Sequence, residues 1–381
     1  INMDVSKTKS LKTISEYVKE HGMSVGIVSS VSIDHATPAS FYAKVPSRGN
    51  MYDIAVQLTQ SGFDYFGGGG FSQVTGKNKD KTSVLSLAKE AGYVYVNDKL
   101  AFQALTPGVG KVIAVNPVLQ DSYAMPYDID RAEDDLSLAD YTAKGIELLS
   151  ANPAGFFMMV ESGKIDWAGH ANDAGASIHD TLAFDAAIAE AVAFAQAHPQ
   201  DTLIVVTGDH ETGGMTIGFA GTQYSTFFKK IAPQTMSFTK FNMQVLGPYK
   251  AARKASADKG SLSDLLPIIK SSLGLDYDTL TALQKDQLQI AFQRSMGNEV
   301  IRPVEEDQYL LYGGYEPLTV KITQLLNQQA GIGWTSYSHT GVPVATFAMG
   351  VNQELFGGYY DNTDIFHKLT TAMGIKTSAS N

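Results

Sequence analysis

Phe156-Phe157-Met158-Met159-Val160-Glu161-Ser162-Gly163-Lys164-Ile165-Asp166-Trp167-Ala168-Gly169-His170 is the stretch around which the chain is organised. An apolar run of β-forming residues stops at Glu161, and the residues after it supply a second carboxylate and an imidazole. This reads as a strand handing over to a metal site. Asp166 and His170, four apart, share one face of a helix that starts between them and the strand. Glu161, at the strand end, is expected to serve a neighbouring ion.

The same grammar recurs. Leu-Ile-Val-Val-Thr at 203–207 runs into Gly208-Asp209-His210-Glu211-Thr212-Gly213-Gly214, whose flanking glycines permit a tight loop from which adjacent Asp and His converge. Ser338-His339-Thr340-Gly341 precedes an apolar run at 342–349, read as a buried strand. Near the start, the apolar run at 25–31 leads to Asp34-His35-Ala36-Thr37-Pro38, with Arg48 following. Three of these four sites follow the carboxyl ends of apolar strands, where open α/β sheets bind ligands. One site built by four loops is the economical reading.

Glu161-x4-Asp166-x3-His170, Thr207-Gly-Asp209-His210-Glu-Thr-Gly-Gly, His339-Thr-Gly and His35-Ala-Thr37-Pro followed by Arg48 resemble, in order and approximate spacing, the alkaline phosphatases. The likeness covers nearly the whole chain except the stretch from about Gln223 to Gly331. It implies two zinc ions and one magnesium. Asp166, His170 and His339 resemble the ligands of the first zinc, and Asp209 and His210 part of the second zinc site. Glu161 and Thr37 resemble magnesium ligands, with His35 beside them as ligand or support, and Arg48 resembles the guanidinium that clamps phosphate. The residue types agree with that chemistry: zinc takes imidazole and carboxylate, magnesium takes oxygen, and the guanidinium fork suits phosphate. Trp167 is read as packing close to where phosphate binds, and Asp34 as a loop or capping residue.

The family also carries an upstream strand ending in a metal-bridging Asp, and an Asp-Ser pair whose serine is the nucleophile. No equivalent stands here, so that segment is expected to be cut off, and Asp121-Ser122 is not read as a replacement. Loss of such a strand is expected to expose two strand edges, with poor solubility or dimer contacts as the result. The implied function is hydrolysis of phosphate monoesters through a phosphoserine, with broad specificity for the alcohol. A chain that binds metal or phosphate without turnover, and a related phosphodiesterase or phosphomutase, are the alternatives. A periplasmic or secreted homodimer is implied by the resemblance.

Composition agrees with a soluble enzyme: 381 residues, 44% apolar and 18% charged. A net charge of −10 argues against broad binding to nucleic acid or anionic membranes. The chain has no cysteine, which excludes disulfides and thiol chemistry. His21, His179, His198 and His367 stand outside the motifs and are read as surface or packed residues.

Periodicity predicts helices over 40–44, 51–61, 82–91 and 139–149, and a long alanine-rich helix from beyond His170 to near His198. Strands are predicted at 63–66, 93–96 and 112–115. The glycine run 67–70 lacks a P-loop signature and is read as a plain turn. Strands alternating with helices predict a three-layer α/β sandwich around a mostly parallel sheet. Residues 1–222 and 331–381 would form it. The remainder, 223–330, carries Lys229, Lys230, Lys240, Lys250, Arg253, Lys254 and Lys259, has a helix starting near Asp278, and is read as an insertion over the site mouth or a dimer interface.

Overall fold

The computed structural model describes residues 1–254, 260–297 and 305–377, which leaves Lys259 outside. Eleven strands are described, in chain order β1 (Ser24–Ser29), β2 (Tyr65–Gly68), β3 (Tyr93–Val96), β4 (Lys111–Val115), β5 (Phe156–Glu161), β6 (Leu203–Thr207), β7 (Glu211–Thr212), β8 (Thr216–Ile217), β9 (Ile332–Gly333), β10 (His339–Thr340) and β11 (Thr346–Gly350). The first five form one parallel sheet in the order β3-β4-β2-β1-β5. Side chains along each strand alternate between its two faces. Ile27, Phe66, Ile113, Phe157 and Met159 point into one cluster with the helices Met51–Gln60 and Val84–Glu90. Val28, Tyr65, Val112, Met158 and Val160 point into another with the helix Leu138–Leu149. Helices therefore cover both faces.

From β1 the chain moves to β2 on one side, while β5 lies on the other. The carboxyl ends of β1 and β5 thus form the switch point at which such sheets open a crevice. Ser29 and Glu161, the last residues of the two strands, are register partners.

The predicted elements shift where local chemistry decides. The helix expected at 40–44 is instead a single turn, Ala36–Ala39, with His35 at its N-cap and Pro38 inside the first turn, where an amide has no intrahelical partner to lose. The strand expected at 63–66 runs two residues later and takes in glycines. A Cβ on Gly68 would lie 1.9 Å from the Ser29 carbonyl oxygen, and one on Gly69 2.1 Å from that of Val31. The glycine run is a close backbone crossing. Of the apolar run 342–349 only the end becomes β11, since Pro343 offers no amide to a ladder. Val342 and Val344 are exposed.

The sheet does not continue to β6. Among the described residues β6 pairs only with β11, antiparallel, as a separate two-stranded ribbon, and β5 pairs only with β1. Both sequences have the continuous apolar character of strands buried on both sides. Yet β5 is half-buried throughout, and Phe347 of β11 is 67% exposed, whereas β1 and β2 are wholly buried. Between β5 and β6 runs a groove floored by Phe184 and Ile188 and continuous with the mouth of the site, about 2360 Å³ in all.

Helices after residue 237 have their own apolar cluster, including Phe241, Leu246, Leu288, Phe292, Leu318 and Ile322. The helix foreseen near Asp278 is Ala282–Ser295, capped by Thr281 and Gln284, with a short 3-10 turn Tyr277–Thr279 before it.

Asp34 is not a capping residue. It is fully buried and accepts hydrogen bonds from the Ser72 amide (2.7 Å) and hydroxyl (2.9 Å), tying the loop after β2 to that after β1. A second buried acid, Asp180, has its pKa pushed up to about 8, by burial first and by Asp128 and Asp130 after it. The folded chain holds this proton where an unfolded aspartic acid has released it, so stability is lost as pH rises from 3.8 to about 8. Asp180→Asn is expected to raise the melting temperature at pH 9 more than at pH 5, read by differential scanning calorimetry. An equal shift at both pH values would contradict the assignment.

Candidate metal centre

The helix Lys164–His170 follows β5 after Gly163, and its turn sets Asp166 and His170 on one face. Asp166 Oδ1 lies 3.3 Å from His170 Nε2 and 3.4 Å from His339 Nε2. His339 arrives on β10, which pairs antiparallel with β7 and so places His339 opposite Thr212. Ligand atoms of Asp166, His210 and His339 all lie within 4.8 Å of one another. His210 and His339 stack with centroids 3.5 Å apart, and Asp209 Oδ2 lies 3.4 Å from His210 Nε2. Asp166 is therefore the common neighbour of the imidazoles drawn from three separate motifs. Asp209 is more open, 64% exposed.

Neighbours hold these groups in place. His170 Nδ1 is 2.6 Å from the Tyr337 carbonyl oxygen, which fixes the tautomer with Nε2 unprotonated and facing Asp166. Thr212 donates from Oγ1 to Asp166 Oδ1 at 2.5 Å and lies 3.2 Å from His210 Nδ1. Glu211 accepts from the Gly214 amide at 2.8 Å and from the Thr340 hydroxyl, so it stitches the β7 and β10 loops together. Thr212 and Glu211 were visible in the motif but offered no sign of these roles, which depend on the register of two-residue strands. Thr212→Val is expected to weaken metal binding roughly 10- to 100-fold, the usual result of removing a hydrogen bond to a ligand. Titration against a competing chelator reads this, and an unchanged affinity would dismiss the role.

Glu161 forms a second pole. Ser29 donates to its Oε2 at 2.5 Å, Thr37 is a further hydrogen-bond partner, and burial pushes its pKa up to about 7. His35 stands beside them, its pKa driven down to about 4 by burial and then by Arg48. Its Nδ1 is buried without a hydrogen-bond partner, while Nε2 lies 3.3 Å from Arg48 Nη2. Glu161 and the Thr37 hydroxyl offer the oxygen atoms that a hard cation takes, with the half-buried His35 imidazole beside them. Trp167 packs edge-on against His35, centroids 5.7 Å apart, and also lines the cleft. Arg48 is exposed at the mouth.

Lys164 is completely buried, with Nζ 2.6 Å from Asp121 Oδ1 and 3.9 Å from the centre of the Tyr127 ring. Asp121 is thus the anchor of the helix that carries Asp166. Tyr315 reaches the same cleft from the turn before the helix Pro317–Ala330, and its phenol is pushed up to about 12 by burial and the Asp166 carboxylate.

Residues 1–375 match the family described as alkaline phosphatase. Alkaline phosphatase 3 of Bacillus subtilis (strain 168) is 31% identical over 368 residues, 95% of this chain and 70% of that protein. Alkaline phosphatase 4 of the same organism is 31% identical over 362 residues, 93% of this chain and 68% of that protein. The crystal structure of a cold-active alkaline phosphatase from the psychrophile Shewanella sp. superposes with a TM-score of 0.75 at 29% identity, covering 97% of this chain and 80% of that one. A TAB5 alkaline phosphatase mutant with Mg bound in its M3 site gives 0.63 at 26% identity, covering 99% and 79%. Fold and sequence agree, and the chain belongs to the alkaline phosphatase family.

Proposed function

We propose that the protein hydrolyses phosphate monoesters at a centre of two zinc ions and one magnesium. Asp166, His170 and His339 hold the first zinc, and Asp209 and His210 contribute to the second. Glu161 and Thr37, with His35 beside them, hold magnesium. The observation that carries this reading is the approach of Asp166 Oδ1 to His170 and His339 at 3.3 and 3.4 Å, next to His210. The magnesium bound in the M3 site of the TAB5 relative supports the third position.

Bound zinc lowers the pKa of a hydroxyl and stabilises charge on the leaving oxygen. The chain's own groups do the rest. Arg48 pairs its guanidinium with phosphoryl oxygens, charge on charge. His35, neutral and 3.3 Å from that guanidinium, steadies it without competing for phosphate. Thr212 and the Tyr337 carbonyl fix Asp166 and His170. The acceptor hydroxyl belongs to a serine outside the residues assigned here, and a phosphoserine is formed and then hydrolysed. Ser122 does not take this role, its neighbour Asp121 being committed to Lys164.

Residues 223–330 act as a lid-like insertion, supported by their separate apolar cluster and by Phe238 and Tyr315 at the cleft. A homodimer, periplasmic or secreted, completes the reading. No described helix is long and apolar enough to cross a membrane. Sedimentation velocity is expected to give twice the 41.0 kDa chain mass, and a single-chain mass at all concentrations would reject the dimer. The direct test of function is hydrolysis of a chromogenic aryl phosphate at alkaline pH with zinc and magnesium supplied. Turnover abolished by a chelator is expected of protein that carries the serine; zinc binding without turnover in that protein would favour a phosphate-binding chain.

A further inference from the structure

Three aromatic rings from two parts of the chain meet on the outer side of the metal centre. Trp167 comes from the helix that also carries Asp166 and His170. Phe238 and Tyr315 come from the region after residue 222, and their rings meet edge-to-face with centroids 5.8 Å apart at 86°. All three pack in one apolar cluster over Ala168 and Tyr127, and all three line the cleft that holds Arg48, Asp166, His170 and His339.

Tyr315 differs from the tyrosines around it. Tyr309 spends its hydroxyl on Ser338 Oγ at 3.0 Å, and Tyr337 spends its own on the Leu311 carbonyl and the Gln324 amide. The Tyr315 hydroxyl makes no hydrogen bond to another described residue, while its ring packs edge-to-face against Phe238. A ring fixed on one side, bordering the site on the other, presents a platform rather than a bolt. Phosphate itself is satisfied by charge, through Arg48 and metal. What remains for an aromatic wall is the alcohol half of the ester.

We propose that Trp167, Phe238 and Tyr315 form a leaving-group wall, so that the protein takes aryl and other planar phosphate monoesters in preference to small alkyl ones. This rests on the phosphomonoesterase reading above and narrows it. Ring-on-ring contact contributes discrimination on top of the area it buries, which corresponds to a preference of roughly three- to tenfold per ring.

The test uses the full chain loaded with zinc and magnesium. Binding of phenylphosphonate and methylphosphonate is measured by calorimetry, and kcat/KM for phenyl phosphate and glycerol phosphate alongside. In Tyr315→Leu the phenyl-to-methyl affinity ratio is expected to fall roughly three- to tenfold, with the matching kcat/KM ratio falling through KM. Tyr315→Phe, which keeps the ring, is expected to retain the ratio. Should Tyr315→Leu fail to fold, Phe238→Leu carries the same expectation. A ratio unchanged in the leucine variants, or lost equally in Tyr315→Phe, overturns the wall while leaving the phosphatase reading intact. Failure of the unsubstituted protein to bind either phosphonate would overturn both.

Discussion

Asp166→Ala is expected to lower kcat/KM for an aryl phosphate roughly a thousandfold, with a parallel loss of bound zinc. The size follows from position. A single carboxylate oxygen lies 3.3 Å from one imidazole and 3.4 Å from another, and accepts the Thr212 hydroxyl at 2.5 Å. Without it, His170 and His339 keep their places but lose the anion that binds the metal with them. Asp166→Asn retains an oxygen without the charge, so its metal content is expected to fall between the two. Elemental analysis together with the phosphatase assay decides the matter. A variant that keeps its zinc and most of its activity would remove Asp166 from the ligand set.

The second large effect is on stability. Asp121→Ala is expected to cost about 3 to 5 kcal/mol, because it strands a fully buried ammonium. Lys164 would keep the Gln120 Oε1 at 3.4 Å, the Tyr127 and Trp167 rings, and the weaker fields of Asp180 and Asp130. Burial already drives the lysine pKa down, so the variant folds best with Lys164 neutral, and its deficit should be largest at low pH and shrink as pH rises. Urea denaturation at pH 6 and pH 9 measures this. Adding Lys164→Met to Asp121→Ala should restore much of the loss, since two apolar groups replace the pair. A deficit below about 1 kcal/mol would mean that water reaches the lysine.

The residues that converge on the cleft were legible because each motif combines a strand signal with polar residue types in a fixed order. Asp166 and His170 needed only helical spacing, and Asp209-His210 only a glycine loop. What the sequence could not show depends on register. Thr212 reaches Asp166 because β7 and β10 align it opposite His339, and nothing in Glu-Thr-Gly-Gly announces such pairing. Tyr315 sits far along the chain in a region without motifs, and only its packing on Phe238 brings it to the cleft. The parallel sheet followed from apolar strands alternating with helices. Its interruption after β5 did not, because Leu-Ile-Val-Val-Thr reads the same whether its neighbour is β5 or an antiparallel β11.

Asp173 precedes the long helix Ala174–Ala197 and is wholly buried. Its Oδ1 accepts the Ala176 amide at 3.1 Å and the Gln234 side-chain amide at 2.8 Å, and its Oδ2 accepts the Phe238 amide at 2.9 Å. One carboxylate thus serves both as helix cap and as the tether of the segment bearing part of the aromatic cluster. Opening either end would strand an acceptor in the interior, so the two are bound into one cooperative unit. In native-state hydrogen exchange, the Ala176 and Phe238 amides should therefore share a single opening free energy despite their separation along the chain.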